Sequence, residues 1–111
     1  MAAHFEIKKA KDGQFMFNLK AGNSEVILTS ELYKRKRSAL SGIASVQKNS
    51  PDDTRYIRKV ASDGQHFFVL RARNHEVIGK SELYPTAPVM EKGIASVKKN
   101  GPVATIKELT E

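Results

Sequence analysis

Apolar and polar residues alternate through Phe5-Glu6-Ile7-Lys8 and again from Phe15 to Lys20, where Phe15, Phe17 and Leu19 share one face. A period of two predicts strands with one buried side. Asp12-Gly13 between them predicts a hairpin turn, because glycine accepts positive φ. Gly22-Asn23 predicts a second turn with the asparagine left-handed, leading into a third strand through Val26, Ile27 and Leu28. The period then lengthens. Ala39, Ile43 and Val46 fall at i, i+4 and i+7, one apolar stripe of a helix lying on a sheet. Asn49-Ser50-Pro51 predicts its end, with a left-handed cap before the proline.

The whole pattern then begins again. Asp12-Gly13-Gln14 recurs as Asp63-Gly64-Gln65, an offset of 51 residues. The same offset, without a gap, lays Ser30-Glu31-Leu32-Tyr33 on Ser81-Glu82-Leu83-Tyr84, and Gly42-Ile43-Ala44-Ser45-Val46 on Gly93-Ile94-Ala95-Ser96-Val97. The chain is a tandem duplication. The second copy predicts a strand from about Phe67 to Arg71, a turn at Arg73-Asn74, a strand at Val77-Ile78 and a helix carrying Met90, Ile94 and Val97. Thr86 is the expected N-cap of that helix, with Pro88 in its first turn and Asn100-Gly101-Pro102 at its end. Gly42 and Gly93 sit in mid-helix, where glycine costs about 1 kcal/mol relative to alanine; close approach of helix to sheet is the expected compensation.

Thr105-Ile106-Lys107-Glu108-Leu109 occupies the place of a third copy of the first strand, with Ile106 and Leu109 as its apolar members. A lone unit of this size buries little core and exposes a strand edge. The expectation is therefore a single domain, 1–111, with repeat one about 4–53 and repeat two about 54–111. It is an α+β fold: tandem β-β-β-α-β repeats forming one antiparallel sheet, two helices on one face, a pseudo-twofold axis, and the terminal strand of one unit added to the other.

Leu19-Lys20-Ala21-Gly22-Asn23, Ser30-Glu31-Leu32-Tyr33, Gly42-Ile43-Ala44-Ser45-Val46 and Asn49 resemble the YegP-like family of small bacterial tandem-repeat proteins, over nearly the whole chain. The resemblance implies two β-β-β-α-β units in one sheet with exchanged C-terminal strands, and single-unit relatives that pair as dimers. It implies no activity, substrate or cofactor for any residue. Arg73 in place of Gly22, and Pro85 in place of Lys34, depart from the first copy at a turn and at the approach to the helix.

Composition narrows the chemistry. The 111 residues include 40% hydrophobic and 28% charged, a globular mix. There is no cysteine, which removes disulfides, thiolate metal sites and a cysteine nucleophile together. No stretch approaches the roughly 18–20 apolar residues of a membrane span, and the N-terminus lacks a signal-peptide pattern, so a cytoplasmic protein without membrane contact is expected. The net charge of +7 is uneven: residues 1–51 hold 9 basic and 4 acidic side chains, residues 52–111 hold 10 and 8. Lys34-Arg35-Lys36-Arg37 carries much of the excess, and its counterpart is Pro85-Thr86-Ala87-Pro88. The fold does not require those cations, and at a helix N-terminus they oppose the helix dipole. They mark a candidate polyanion-binding site, since phosphate there gains from the side chains and the exposed amides.

The catalytic signals are weak. His4, His66 and His75 have no metal-ligand spacing and no histidine counterpart in the other copy. Ser62, Asp63 and His66 cluster at a hairpin turn, where serine and aspartate ordinarily bond the backbone. No glycine-rich phosphate loop is present. Asn23/Asn74, Glu25/Glu76, Ser30/Ser81, Glu31/Glu82 and Tyr33/Tyr84 are duplicated. Asparagines holding turns, serines starting them and tyrosines packed at a rim account for most of them; Glu31, Tyr33, Glu82 and Tyr84 remain as a candidate duplicated polar site. The expectation is a monomeric, non-catalytic binding or interaction module with no metal and no cofactor, its partner unknown. The alternative is a nucleic-acid or polyanion-associated protein using Lys34, Arg35, Lys36 and Arg37.

Overall fold

A computed structural model of the chain describes residues 2–109. Repeat one contributes β1 (His4–Lys9), β2 (Phe15–Lys20), β3 (Val26–Ser30) and α1 (Lys36–Asn49). Repeat two contributes β4 (Tyr56–Val60), β5 (His66–Arg71), β6 (Val77–Lys80) and α2 (Ala87–Asn100), and β7 (Thr105–Glu108) closes the chain. All seven strands form one sheet in the order β4-β5-β6-β3-β2-β1-β7. The six repeat strands are mirrored about the β3–β6 seam, as a twofold axis requires.

The alternation places Phe5, Ile7, Phe17, Leu19, Phe68 and Leu70 on one face, all fully buried. Ala39, Ile43 and Val46 of α1 and Met90, Ile94 and Val97 of α2 meet them in one core cluster. Each helix crosses the seam. α1 packs on β2 and on β6 of the other repeat, and α2 packs on β5 and β3. This matters because the seam itself is short, with only Thr29↔Lys80 and Ser30↔Gly79 paired. Buried helix surface, rather than a long ladder, joins the two halves. Near the axis the copies must differ: Leu28 and Gly79 are repeat equivalents, and a Cβ on Gly79 would lie 2.7 Å from Leu28 Cγ.

Three local expectations change. The sheet is mixed, because β7 joins β1 in parallel, His4↔Thr105 through Ile7↔Glu108. A parallel neighbour needs a crossover connection, and α2 supplies it, carrying the chain from β6 across to the far edge. The terminal strand does add to the other repeat, but all four of its residues are exposed. The left-handed residues of the second turns are Ser24 (φ 70) and His75 (φ 72), not the asparagines. Asn23 Oδ1 instead accepts from Glu25 N, and Asn74 Oδ1 from Glu76 N, so the asparagine organises the turn while its successor takes the positive φ. The helix ends also stay right-handed, with Ser50 at φ −60 and Gly101 at φ −52. The last carbonyls are met by the chain that follows: Ser50 and Gly101 N–H donate to Val46 and Val97, and Asp52 and Ala104 N–H to Asn49 and Asn100, without a left-handed cap.

Candidate functional site

Strand ends set the duplicated polar residues. Phe15 and Tyr33 exchange backbone hydrogen bonds of 2.6 and 2.7 Å, and His66 and Tyr84 do the same at 2.7 Å. Between bridge and strand, Ser30 Oγ accepts from Phe17 N at 2.8 Å and donates to the Glu31 carbonyl. Ser81 repeats this with Phe68 N and the Glu82 carbonyl. Both serines therefore replace a missing ladder partner.

The tyrosine rings reach under the helices. A Cβ on Gly42 would lie 2.5 Å from the Tyr33 hydroxyl, and one on Gly93 2.5 Å from that of Tyr84. The mid-helix glycines thus exist for the tyrosines, the close approach expected of them. Tyr33 also stacks on Phe17, with centroids 6.3 Å apart. Burial first, then the charges of Glu31 and Glu76, push the Tyr33 hydroxyl above its ordinary pKa. Burial, Glu82 and Glu25 do the same for Tyr84. In each case one of the carboxylates comes from the opposite repeat.

Glu31, Tyr33, Ser38, Ser41, Glu76 and Ile78 are among the residues lining a groove of about 370 Å³ between α1 and the far repeat. Ser38 and Ser41 of α1 line it, and the matching positions on α2 are Val89 and Lys92. Glu31 and Glu82 meet a second concavity over the seam, with Ser30, Ser81 and Leu83. The structure therefore brings Glu31 together with Tyr33 on one side and with Glu82 on the other. It does not bring Tyr33 and Tyr84 to one site. Glu76 was missed as a partner of Tyr33, because only the strand order across the seam joins them; the offset alone pairs it with Glu25.

No histidine lines the Glu31–Tyr33 groove. Asp63 is occupied by Gln65, accepting from its backbone N–H and its side-chain amide at 3.0 and 2.9 Å, so the Ser62-Asp63-His66 cluster is a turn. Among the described residues there is no group of three side chains able to hold a metal ion. None of the helices described is long and apolar enough to cross a membrane.

The basic cluster lies at the start of α1. Arg35 occupies the N-cap position without a side-chain capping bond, and the first turn has no acidic residue. At the equivalent position of α2, Thr86 accepts from Val89 N, with proline in the first turn, as the sequence predicts. Lys36 is held by Glu108 of β7 at 2.5 Å. Lys34, Arg35 and Arg37 are exposed and have no salt-bridge partner among the described residues.

A tandem β-β-β-α repeat closed into one sheet, with both helices spanning its seam, defines a class of small bacterial α+β proteins. The chain belongs to the YegP family, UPF0339: a domain of unknown function, DUF1508, matches it twice, at residues 10–56 and 61–108. It is 59% identical to a UPF0339 protein of Acinetobacter baylyi, over 99% of each chain. It is 56% identical to the UPF0339 protein YegP of Escherichia coli, over 99% of this chain and all of that one. The solution structure of the latter superposes with a TM-score of 0.94, covering 99% of this chain and 95% of that one. A Shewanella oneidensis member, 49% identical, gives 0.93 over 99% and 93% of the two chains.

Proposed function

We propose that the chain is a small binding module that contacts its partner without chemical turnover. The reading is supported by where the duplicated polar groups are committed. Asn23, Asn74, Ser30 and Ser81 satisfy backbone amides, and Tyr33 and Tyr84 fill the space beneath Gly42 and Gly93. Of that set this leaves the exposed carboxylates of Glu31 and Glu82, and outside it the exposed cations Lys34, Arg35 and Arg37.

A second reading, contact with nucleic acid or another polyanion through Lys34, Arg35, Lys36 and Arg37, is favoured by one observation: the uncapped start of α1 beside the capped start of α2. Two helices of one design need the same cap. The copy that forgoes it has placed cations around free amide N–H groups, where phosphate oxygens would complete both.

Fluorescence anisotropy with a labelled single-stranded oligonucleotide at low salt tests this reading. Binding is expected to weaken linearly in log–log salt plots. Replacing Lys34, Arg35 and Arg37 by alanine should reduce the magnitude of the slope by about 2, at about 0.7 per phosphate contact on a single strand. Arg35→Thr, which installs the cap, should also weaken binding while stabilising the helix. No binding at 20 mM salt, or an unchanged slope in the triple variant, rejects the polyanion reading. A pull-down from lysate with nuclease treatment then tests the module reading: a nuclease-resistant partner supports it, and capture of nothing counts against it.

A further inference from the structure

The helix-free face of repeat one contains a completed ion cluster. Glu6 accepts from His4 Nε2 at 2.7 Å and lies 3.1 Å from Lys20 Nζ and 3.8 Å from Lys8 Nζ. Its side chain is only 12% exposed. The His4 hydrogen bond, then contacts with Lys20 and Lys8, hold its carboxyl below the ordinary range against the opposing effect of burial.

Repeat two duplicates the basic positions and omits the acid. Arg55, Lys59 and Arg71 stand 51 residues after His4, Lys8 and Lys20, whereas Glu6 is replaced by Ile57. The pairing is the same: Ile57 lies opposite Val69 as Glu6 lies opposite Asn18. Arg55 turns towards Asp52, 3.6 Å away. Lys59 and Arg71 have no carboxylate within salt-bridge reach among the described residues. Between them is a cavity of about 210 Å³ lined by Ile57, Lys59, Val69, Arg71, His75 and Val77. Its apolar side includes Val77, which is 41% exposed.

We propose that this cavity binds an aliphatic monocarboxylate, its head between Lys59 and Arg71 where repeat one places the Glu6 carboxylate, and its tail on Ile57, Val69 and Val77. Repeat one supplies the template. There Lys8 and Lys20, on the same strands and in the same register, flank a carboxylate that His4 also binds. The substitution of Glu6 by Ile57 removes the internal acid and leaves an apolar surface in its place, so the incoming acid needs an alkyl chain to cover it. The arginine adds a planar fork suited to a carboxylate. This site is remote in sequence from Lys34–Arg37 and does not depend on the polyanion reading.

Titration of the ¹⁵N-labelled protein with sodium hexanoate at low salt, followed by amide chemical shifts, tests the proposal. Saturable shifts centred on Ile57, Lys59, Arg71, His75 and Val77 are expected, with hexanoate binding at least about tenfold tighter than acetate, as burial of four additional methylenes predicts. Ile57→Glu copies repeat one and should abolish the response by supplying the acid from within. Lys59→Ala with Arg71→Ala should weaken binding about tenfold or more, and it carries the test if Ile57→Glu does not fold. Shifts scattered over the surface, equal binding of acetate or inorganic phosphate, or unchanged affinity in the charge-removal variant would overturn the proposal.

Discussion

Repeat one has Ile7 and Leu40 where repeat two has Arg58 and Glu91, Leu28 where it has Gly79, and Arg35 where it has Thr86. The first difference lies at the sheet edges. β7 covers β1, whereas β4 is itself a free edge; Ile7 is fully buried and its counterpart Arg58 reaches solvent and an ion-pair network. The second lies near the seam, where equivalent side chains compete for one space and cannot both be large. The third lies at a helix start and answers to neither constraint. Duplicated residues have diverged for three separable reasons: edge exposure, crowding at the axis, and a helix start that the fold leaves free.

Restoring symmetry at the seam should have the largest effect. Gly79→Leu would bring a second branched side chain onto Leu28, whose Cγ and Cδ2 lie 2.7 and 2.8 Å from the new Cβ. Overpacking of this kind costs about 3 kcal/mol, lowering Tm by more than about 10 °C for a chain of this size. Combining it with Leu28→Gly exchanges the two residues across the axis and should recover at least half of the loss. Thermal melts of the single and exchanged variants decide the matter. A single variant as stable as the parent would show that the seam is not crowded.

The two mid-helix glycines sharpen the comparison at smaller magnitude. The nearest neighbours of a Gly93 Cβ all belong to Tyr84, whereas a Gly42 Cβ also meets Phe17 Cε2 at 2.9 Å. Tyr84 is half-buried and has room to swing outward; Phe17 is fully buried. Alanine gains about 1 kcal/mol of helix propensity in both. Gly42→Ala should therefore lose about 2 kcal/mol net and Gly93→Ala about 1 kcal/mol or less, read from urea midpoints at constant m-value. Equal losses would mean that Phe17 yields as readily as a tyrosine rim.

The elements were legible because both periodicities run cleanly through two copies, each checking the other. Thr86 and Pro88 announced their helix start for the same reason: caps are local chemistry. What the residues did not disclose depends on neighbours distant in sequence. The direction of β7 follows from where α2 delivers the chain, not from Ile106 or Leu109. Gly101 invited a left-handed cap, yet a Cβ there would collide with Ser50, so close approach of the helix ends selects the glycine. The pairing of Tyr33 with Glu76 needs the strand order across the seam. The ion clusters around Glu6 and Arg58 were partly hidden: His4, Glu6 and Lys8 alternate along β1, but Lys20 joins them from β2, and Glu91 and Lys98 reach the Arg58 cluster from α2.

Those clusters provide the mildest and most specific test of the edge comparison. Arg58 bonds Glu91 at 2.6 Å and Asp53 at 3.0 Å, and Lys98 bonds Asp53 at 2.6 Å. Arg58 first, then Lys98, holds the Asp53 carboxyl at about 2, and Arg58 holds Glu91 below its usual value. Both folded pKa values lie below those of the unfolded chain, roughly 4. Their contribution is therefore complete above about pH 4 and disappears as pH falls towards 2. Exposed pairs contribute little each, so a shallow decline in Tm is expected across that window, weaker still at high salt. Arg58→Ile with Glu91→Leu copies the apolar pair of repeat one and should flatten the decline. It should not remove it, because Glu6 in repeat one is depressed in the same direction by His4, Lys20 and Lys8. Adding Glu6→Gln should flatten it further, leaving the part due to Asp12, Asp52 and Asp63, whose turn hydrogen bonds also hold them below the ordinary range. An unchanged slope in the Arg58→Ile, Glu91→Leu variant would place the acid sensitivity outside the free edge, and the contrast between a covered apolar edge and an open ionic one would lose its energetic content.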